Sequence, residues 1–124
     1  MKTKAEYRAE FRRRVAMWRE GPFLIGDLIN EMADELGEKA YGLIDGCGLS
    51  DSQLYDFERV ARQFPHDMRR YPLSWSYYRD AGADNKIAHI ILEATTKNGW
   101  SRDQMREFRR ELVAKLAADE KADQ

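Results

Sequence analysis

The stretch GLSDSQLYDFER, residues 48–59, recurs as GWSRDQMREFRR, residues 99–110. Each copy begins with a glycine and a bulky apolar residue, and both place a serine, a glutamine and a phenylalanine at equivalent positions. A glycine can end a helix in a left-handed conformation, and a serine two residues later can cap the next helix. Two helices joined by such a turn form a helix-turn-helix. The repeat therefore predicts two helix-turn-helix units in one chain.

Apolar residues elsewhere in the chain recur at spacings of three and four, which is typical of amphipathic helices. Gly21-Pro22 and Pro65 are helix-stop signals. No segment alternates apolar and polar residues in the manner of a β-strand. We therefore predict an all-α fold of about seven helices, with helix-turn-helix units at about 38–64 and 84–118. The helices are expected at about 4–19, 23–36, 38–46, 51–64, 74–81, 84–97 and 102–118.

The length of 124 residues is sufficient for one domain with its own core. We predict a single helical domain over residues 1–118 and a polar, disordered tail over residues 119–124. The sequence has no apolar run of about 18 residues that would cross a membrane. The N-terminus also lacks the apolar stretch of a signal peptide. These features predict a cytoplasmic protein without membrane contact.

The residue types give no support for an enzyme. Cys47 is the single cysteine, and His66 and His89 are the two histidines, so neither a disulfide framework nor a thiolate zinc site is expected. The chain also lacks a nucleophile elbow, a phosphate-binding loop and a histidine–carboxylate metal motif. We therefore predict a binding protein with no catalytic residues, no metal and no cofactor.

Charge is distributed in blocks, although the net charge is −1. Residues 2–19 contain seven basic and two acidic residues. Residues 27–45 contain one basic and six acidic residues, whereas residues 59–79 contain five basic residues and one acidic residue. A basic surface can hold phosphates even when an acidic surface elsewhere balances it. The alternative is a helical surface on which these charges form salt bridges with one another.

Several short motifs occur in a fixed order along the chain. They are LIGDL (24–28), LGEK (36–39), GLS (48–50), VARQFP (60–65), RR (69–70), LSWS (73–76) and GWS (99–101). In this order they resemble the bacterial helix-turn-helix proteins related to the lincomycin-cluster regulator LmbU, over about residues 17–113. The second half is also similar to the N-terminal helical domain of certain bacterial and phage endonucleases. The first resemblance implies DNA binding and gene regulation.

Two features depart from the family pattern. Tyr77 and Tyr78 stand where the family usually has a pair of histidines. Asp51, Asp56 and Glu58 make the second helix of the first unit acidic. Because carboxylates repel phosphates, these residues weigh against DNA contact by the first unit.

In a helix-turn-helix bound to DNA, the N-terminal part of the second helix contacts base edges. Gln53 suits adenine, and Arg59 suits guanine or phosphate. The alternative is that the arginines pair with acids at helical spacing. The sequence leaves open which unit contacts bases. The predicted DNA-binding residues are Ser52, Gln53, Tyr55 and Arg59 in the first unit, Arg62, Arg69 and Arg70 in a phosphate clamp, and Arg102, Gln104, Arg106, Arg109 and Arg110 in the second unit.

Apolar residues near the N-terminus exceed what a small helix-turn-helix core needs. They are Tyr7, Phe11, Val15, Trp18, Phe23 and Leu24. This surplus predicts a dimer interface, and the alternative is that the first helix folds back on its own core.

Together these features predict a sequence-specific double-stranded DNA-binding protein. It would be a bacterial or phage transcriptional regulator that acts at an operator as a homodimer. RNA polymerase or another regulator is a further possible partner. The alternatives are a protein–protein adaptor that has this fold without DNA contact, and a DNA-binding component of replication or partition.

Overall fold

The computed structural model describes residues 3–122, with the side chains of all but residues 11, 12, 15, 16, 18 and 19. These residues form α-helices and one short 3-10 helix at His66–Met68, and no strand. The all-α prediction is therefore confirmed. The α-helices are α1 (Lys4–Leu36), α2 (Lys39–Ile44), α3 (Asp51–Gln63), α4 (Trp75–Asp80), α5 (Asn85–Asn98) and α6 (Arg102–Ala122).

Helix α1 continues without a break through Gly21-Pro22, so the predicted end of a first helix at this pair is wrong. Proline lacks an N–H group and costs a helix interior about 3 kcal/mol, which is why the pair resembles a stop signal. The segment directly after Pro22 packs tightly, since Phe23 and Ile29 are buried. Tertiary packing of this kind outweighs local helix propensity.

The chain falls into two compact units, and the first covers Met1–Arg69. In this unit α1 packs against α2 and α3. Gly26 lies at the contact between α1 and α3. A Cβ atom at Gly26 would lie 2.1 Å from the carbonyl oxygen of Phe57 and 2.7 Å from the Cβ of Ala61. Only glycine therefore permits this close approach of the two helices.

The second unit covers Arg70–Gln124 and contains α4, α5 and α6. Tyr78, Leu92 and Met105 are fully buried at its centre. The Tyr78 hydroxyl donates to the carbonyl of Tyr71 at 2.8 Å and accepts from the N–H of the same residue at 3.0 Å. These bonds fix the segment before α4 to the core. The prediction that residues 1–118 form a single domain stays a prediction.

The last helix is longer than the sequence pattern indicated. Helix α6 continues to Ala122, so residues 119–122 of the predicted tail are helical, with exposed side chains. Residues 123 and 124 lie outside the described part of the chain.

Both copies of the repeat form the same cap at the start of a helix. The side chain of Ser50 accepts from the N–H of Gln53 at 3.1 Å, and the side chain of Gln53 accepts from the N–H of Ser50 at 2.9 Å. Ser101 and Gln104 form the same two bonds at 3.3 and 2.9 Å. The serine caps are confirmed, and each is a complete capping box.

The two copies differ in the turn that precedes the cap. Residues 99–101 alone connect α5 to α6, and Gly99 takes the left-handed conformation with φ of 64°. Residues 45–50 connect α2 to α3, and α2 contains only 6 residues. A helix-turn-helix typically has a turn of about three or four residues. The second copy therefore matches the motif more closely than the first.

The apolar anchor residues of the two turns are also unequal. Trp100 is half-buried, and its ring lies 4.9 Å from that of Phe108, centroid to centroid. Leu49, at the equivalent position, is 36% exposed. The two equivalent apolar positions of the repeat are therefore unequally buried, and the one after the longer turn is the more exposed.

This difference can be tested by stability measurements on two alanine variants. Trp100→Ala should lower the free energy of unfolding by about 3 kcal/mol, the low end of the range for large aromatic residues, because the ring is half-buried. The control Leu49→Ala should cost less than about 1 kcal/mol. Urea denaturation followed by circular dichroism measures both. Equal losses in the two variants would contradict the assignment of Trp100 alone as an anchor.

Candidate functional site

The N-terminal part of α6 lies beside a cluster of arginines around one carboxylate. Asp80, at the end of α4, accepts from Arg79 and from Arg102, both at 3.0 Å. The guanidinium of Arg106 lies 3.7 Å from the same carboxylate. We call Asp80 and these three arginines the Asp80 cluster. The Asp80 side chain is 13% exposed, whereas those of Arg102 and Arg106 are 38% and 46% exposed.

The Asp80 cluster has a surplus of positive charge. One carboxylate faces three guanidinium groups, and although Arg106 also pairs with Asp103 at 3.2 Å, one positive charge stays in excess. Arg79 is held further, because its guanidinium lies over the Trp75 ring at 5.3 Å from the centroid. A partly exposed, pre-oriented set of guanidinium groups suits an anionic partner, since arginine binds phosphate oxygens through a planar fork of donors.

Two further arginines on α6 have opposite environments. Arg110 is exposed and pairs with Glu107, one turn earlier, at 2.6 Å. Arg109 is half-buried, and a Cβ atom at Gly82 would lie 2.8 Å from its guanidinium. Gly82 has φ of 94° and lies in the loop between α4 and α5. Arg109 therefore packs against this loop, and its prediction as a DNA contact is not supported.

Two exposed arginines on α6 form ion pairs with acids three residues earlier, which is in part the salt-bridged surface that the sequence analysis gave as the alternative to DNA contact. Arg106 contacts Asp103 at 3.2 Å, and Arg110 contacts Glu107 at 2.6 Å, both over three residues. Such exposed pairs contribute about 0.5 kcal/mol or less. These arginines can therefore leave their acidic neighbours for a stronger anionic ligand at little cost.

The two predicted glutamine contacts need correction. The side-chain oxygens of Gln53 and Gln104 accept backbone N–H groups in the capping boxes. Bidentate pairing with adenine requires both the oxygen and the nitrogen of the amide. Both glutamines therefore have a capping role in the structure, and a contact of Gln53 with adenine stays a prediction. The Ser-x-x-Gln spacing, which is the sequence signature of a capping box, was the signal that indicated this role.

The remaining predicted residues of the first unit form no basic surface. Ser52 and Tyr55 are exposed, and Tyr55 has 64% of its surface accessible. Arg59 is half-buried and donates to Gln63 at 2.8 Å. The Tyr41 hydroxyl donates to Glu58 at 3.0 Å, and this bond to a carboxylate raises the pKa of Tyr41. The face of α3 is thus acidic, as the departures from the family pattern indicated.

Arg69, the centre of the predicted phosphate clamp, is a structural residue. Its guanidinium forms a bidentate pair with Asp27 at 2.6 and 2.8 Å, and its side chain is 11% exposed. It also donates to the carbonyls of Phe64 at 2.7 Å and Ala61 at 3.3 Å. The ring of Phe23 lies 4.3 Å below the guanidinium. All of these acceptors lie within the first unit. The Arg69 guanidinium is therefore not directed toward a phosphate, contrary to the prediction.

The other two arginines of that prediction remain accessible. Arg62 lies in the first unit, where it contacts Asp34 at 3.5 Å with both side chains exposed. Arg70 lies in the second unit, where it stacks on Tyr71 at 5.4 Å and donates to the hydroxyl of that residue at 3.4 Å. The bond to Tyr71 raises the pKa of Arg70. Arg62 and Arg70 therefore stay predicted phosphate contacts, each in its own unit.

Other kinds of site were sought over the part of the chain that the structure describes. No group of three histidine, cysteine or acidic residues is arranged to hold a metal ion there. None of the helices in residues 3–122 is long and apolar enough to cross a membrane.

Comparison of the chain with protein-family models, with curated proteins and with solved structures finds no match.

The internal role of Arg69 can be separated from a phosphate role by stability measurements. Arg69→Ala should lower the free energy of unfolding by about 2 kcal/mol, since it removes charge-assisted bonds and leaves two carbonyls without their donor. The control Arg62→Ala removes an exposed arginine that also faces an acid on α1, and should cost less than about 0.5 kcal/mol. Thermal denaturation measures both. If Arg69→Ala leaves the free energy of unfolding unchanged, the internal bonds of Arg69 do not stabilise the fold, and a phosphate contact by Arg69 would be favoured again.

Proposed function

We propose that this chain binds double-stranded DNA through its second helix-turn-helix, with α6 as the helix that enters the major groove. The observation that carries the proposal is the Asp80 cluster at the N-terminal end of α6. In this motif, the N-terminal residues of the second helix meet the base edges, and basic residues beside them hold the phosphate backbone. A three-residue turn, a capped helix start and a local surplus of guanidinium groups together support this assignment.

The residues of α6 have different roles in the proposal. Arg102, which is held by Asp80, contacts a phosphate and sets the position of the helix. Arg106 and Arg110 lie one turn apart on the exposed side of α6, so both project toward the groove. Arginine binds the two acceptors of guanine in a bidentate manner, and this contact is the commonest specific one in the major groove. Arg106 is the first candidate for a base contact.

In biological terms, the proposal is that the chain regulates transcription in a bacterium or phage by binding an operator as a homodimer. Two half-sites give the specificity that one short helix cannot supply. RNA polymerase or a second regulator is a compatible further partner. A role in replication or partition would use the same DNA contacts at a different site.

A protein–protein adaptor is the second candidate function. The observation that favours it is the apolar surface of the first unit, where Leu24, Leu28 and Leu43 are 59%, 56% and 67% exposed. Exposed apolar surface is typical of sites that bind other proteins. This candidate requires no basic surface and fits the net charge of −1.

Salt dependence and matched variants test the DNA proposal. The logarithm of the association constant should fall with the logarithm of the salt concentration, with a slope of about −0.9 per phosphate contacted. Arg106→Ala should cost about 1–3 kcal/mol and relax preference at one base position, whereas a lost phosphate contact weakens all sequences alike. The control Lys121→Ala, near the far end of α6, should change neither. Fluorescence anisotropy and binding-site selection measure these quantities.

The adaptor candidate prevails if affinity for every duplex at low salt is no better than about millimolar, the range in which no specific contact is formed. If Arg106→Ala weakens all sequences equally, Arg106 is a phosphate contact and the base contact lies elsewhere on α6.

A second prediction concerns the carboxylate of the Asp80 cluster. Asp80→Asn removes a negative charge beside the DNA and releases Arg102 and Arg106. Affinity for random duplex should rise about threefold or more, because the surplus of positive charge grows, while discrimination between operator and random duplex should fall. The control Asp119→Asn removes an exposed charge from the far part of the same helix, away from the arginines, and should leave discrimination unchanged. An Asp80→Asn variant with full discrimination would show that Asp80 does not position the arginines.

A further inference from the structure

Helix α1 has an apolar stripe on the side opposite to its contact with α3. Met17, Leu24 and Leu28 are 64%, 59% and 56% exposed. Their spacings of seven and four residues place them on one narrow strip of the helix surface. Gly26, which touches α3, lies on the opposite side at 100° per residue. The stripe is therefore a second apolar face, separate from the one that forms the core of the first unit.

The described side chains in the N-terminal half of α1 are mostly exposed. Among the described side chains of residues 4–20, none is buried and Glu10 alone is half-buried. The side chains of Phe11, Val15 and Trp18, which the sequence analysis placed on an apolar stripe, lie outside the described residues. A helical segment of this length is marginal in water unless one face packs against another element. Packing of this face against a second helix would stabilise the segment.

The charges of α1 indicate what that partner is. Residues 4–19 contain six basic and two acidic residues, whereas residues 20–38 contain six acidic residues and no basic residue. The sign of the charge thus changes between Arg19 and Glu20, close to the middle of the helix. A second α1 that runs in the opposite direction would place its acidic half along the basic half of the first. A parallel arrangement would place like charges side by side and is disfavoured.

We propose that α1 is a dimerisation helix that pairs in antiparallel orientation with α1 of a second copy of this chain. The twofold axis lies near Glu20 and Gly21, so that Met17 faces Leu24 of the partner subunit. The surface is self-complementary in charge, as a twofold interface requires. Residues 17–28 span about 17 Å along the axis of α1, so a second α1 can cover the exposed apolar stripe along its whole length. This inference does not depend on DNA binding.

The oligomeric state of the full chain, without DNA, provides the first test. Sedimentation equilibrium should show a dimer, and Leu24→Glu should raise its dissociation constant at least about tenfold, because a carboxylate would be buried in the apolar stripe. The matched control is Ile90→Glu on α5, at a residue that is 51% exposed, and it should change the constant less than about twofold. A monomer at all accessible concentrations, or equal effects of the two substitutions, would overturn the proposal.

The orientation of the helices is tested by disulfide formation in a Cys47→Ser background, which removes the exposed natural thiol. Met17→Cys and Leu24→Cys chains are oxidised separately and as a mixture. A disulfide needs Cα atoms within about 7 Å. Antiparallel pairing gives dimers in the mixture and few in either chain alone. Parallel pairing gives 17–17 and 24–24 dimers in the separate samples, and that outcome would overturn the proposed orientation even if the protein is a dimer.

Discussion

The capping box formed by serine and glutamine is the interaction that fixes the starting points of α3 and α6. In each copy, two backbone N–H groups that a helix start would leave unpaired are bound by side chains. Because the serine must stand directly before the first helical residue, the box also fixes which residues of α6 face outward. Arg102 and Arg106 of α6 meet the Asp80 carboxylate in that register.

The surroundings of an arginine decide its role, and its position in a motif does not. Arg69 and Arg70 are neighbours in sequence, yet Arg69 is held inside the first unit by Asp27, whereas Arg70 is exposed in the second unit. On α6, the adjacent Arg109 and Arg110 show the same contrast between packing and exposure. A buried guanidinium needs fixed acceptors to replace its hydration, whereas an exposed one exchanges acceptors readily. The exposure of an arginine is therefore a better guide to whether it can bind an external anion than its place in a sequence motif.

The sequence was sufficient to predict the all-α class, the serine caps and, within a few residues, the bounds of α3 and α5, because caps and apolar spacing are local signals. It was misleading at Pro22, where packing of Phe23 and Ile29 keeps α1 continuous against a local stop signal. The ion pair between Arg69 and Asp27 could not be predicted from the sequence, because the two residues are 42 positions apart and only the fold brings them together. The Ser-x-x-Gln spacing is itself the signal of a capping box. The sequence analysis instead interpreted the glutamines as DNA contacts, because it placed them in helix-turn-helix units.

The close contact at Gly26 restricts which amino acids this position can hold. The atom that faces Gly26 is a backbone oxygen, 2.1 Å from where a side chain would begin. A main-chain carbonyl in a helix cannot swing aside as a side chain can, so the position is restricted by volume and not by polarity. Alanine and serine are therefore as poorly accommodated as each other, and a compensating change elsewhere would have to move a whole helix. Gly26 thus fixes how closely the backbones of α1 and α3 approach each other.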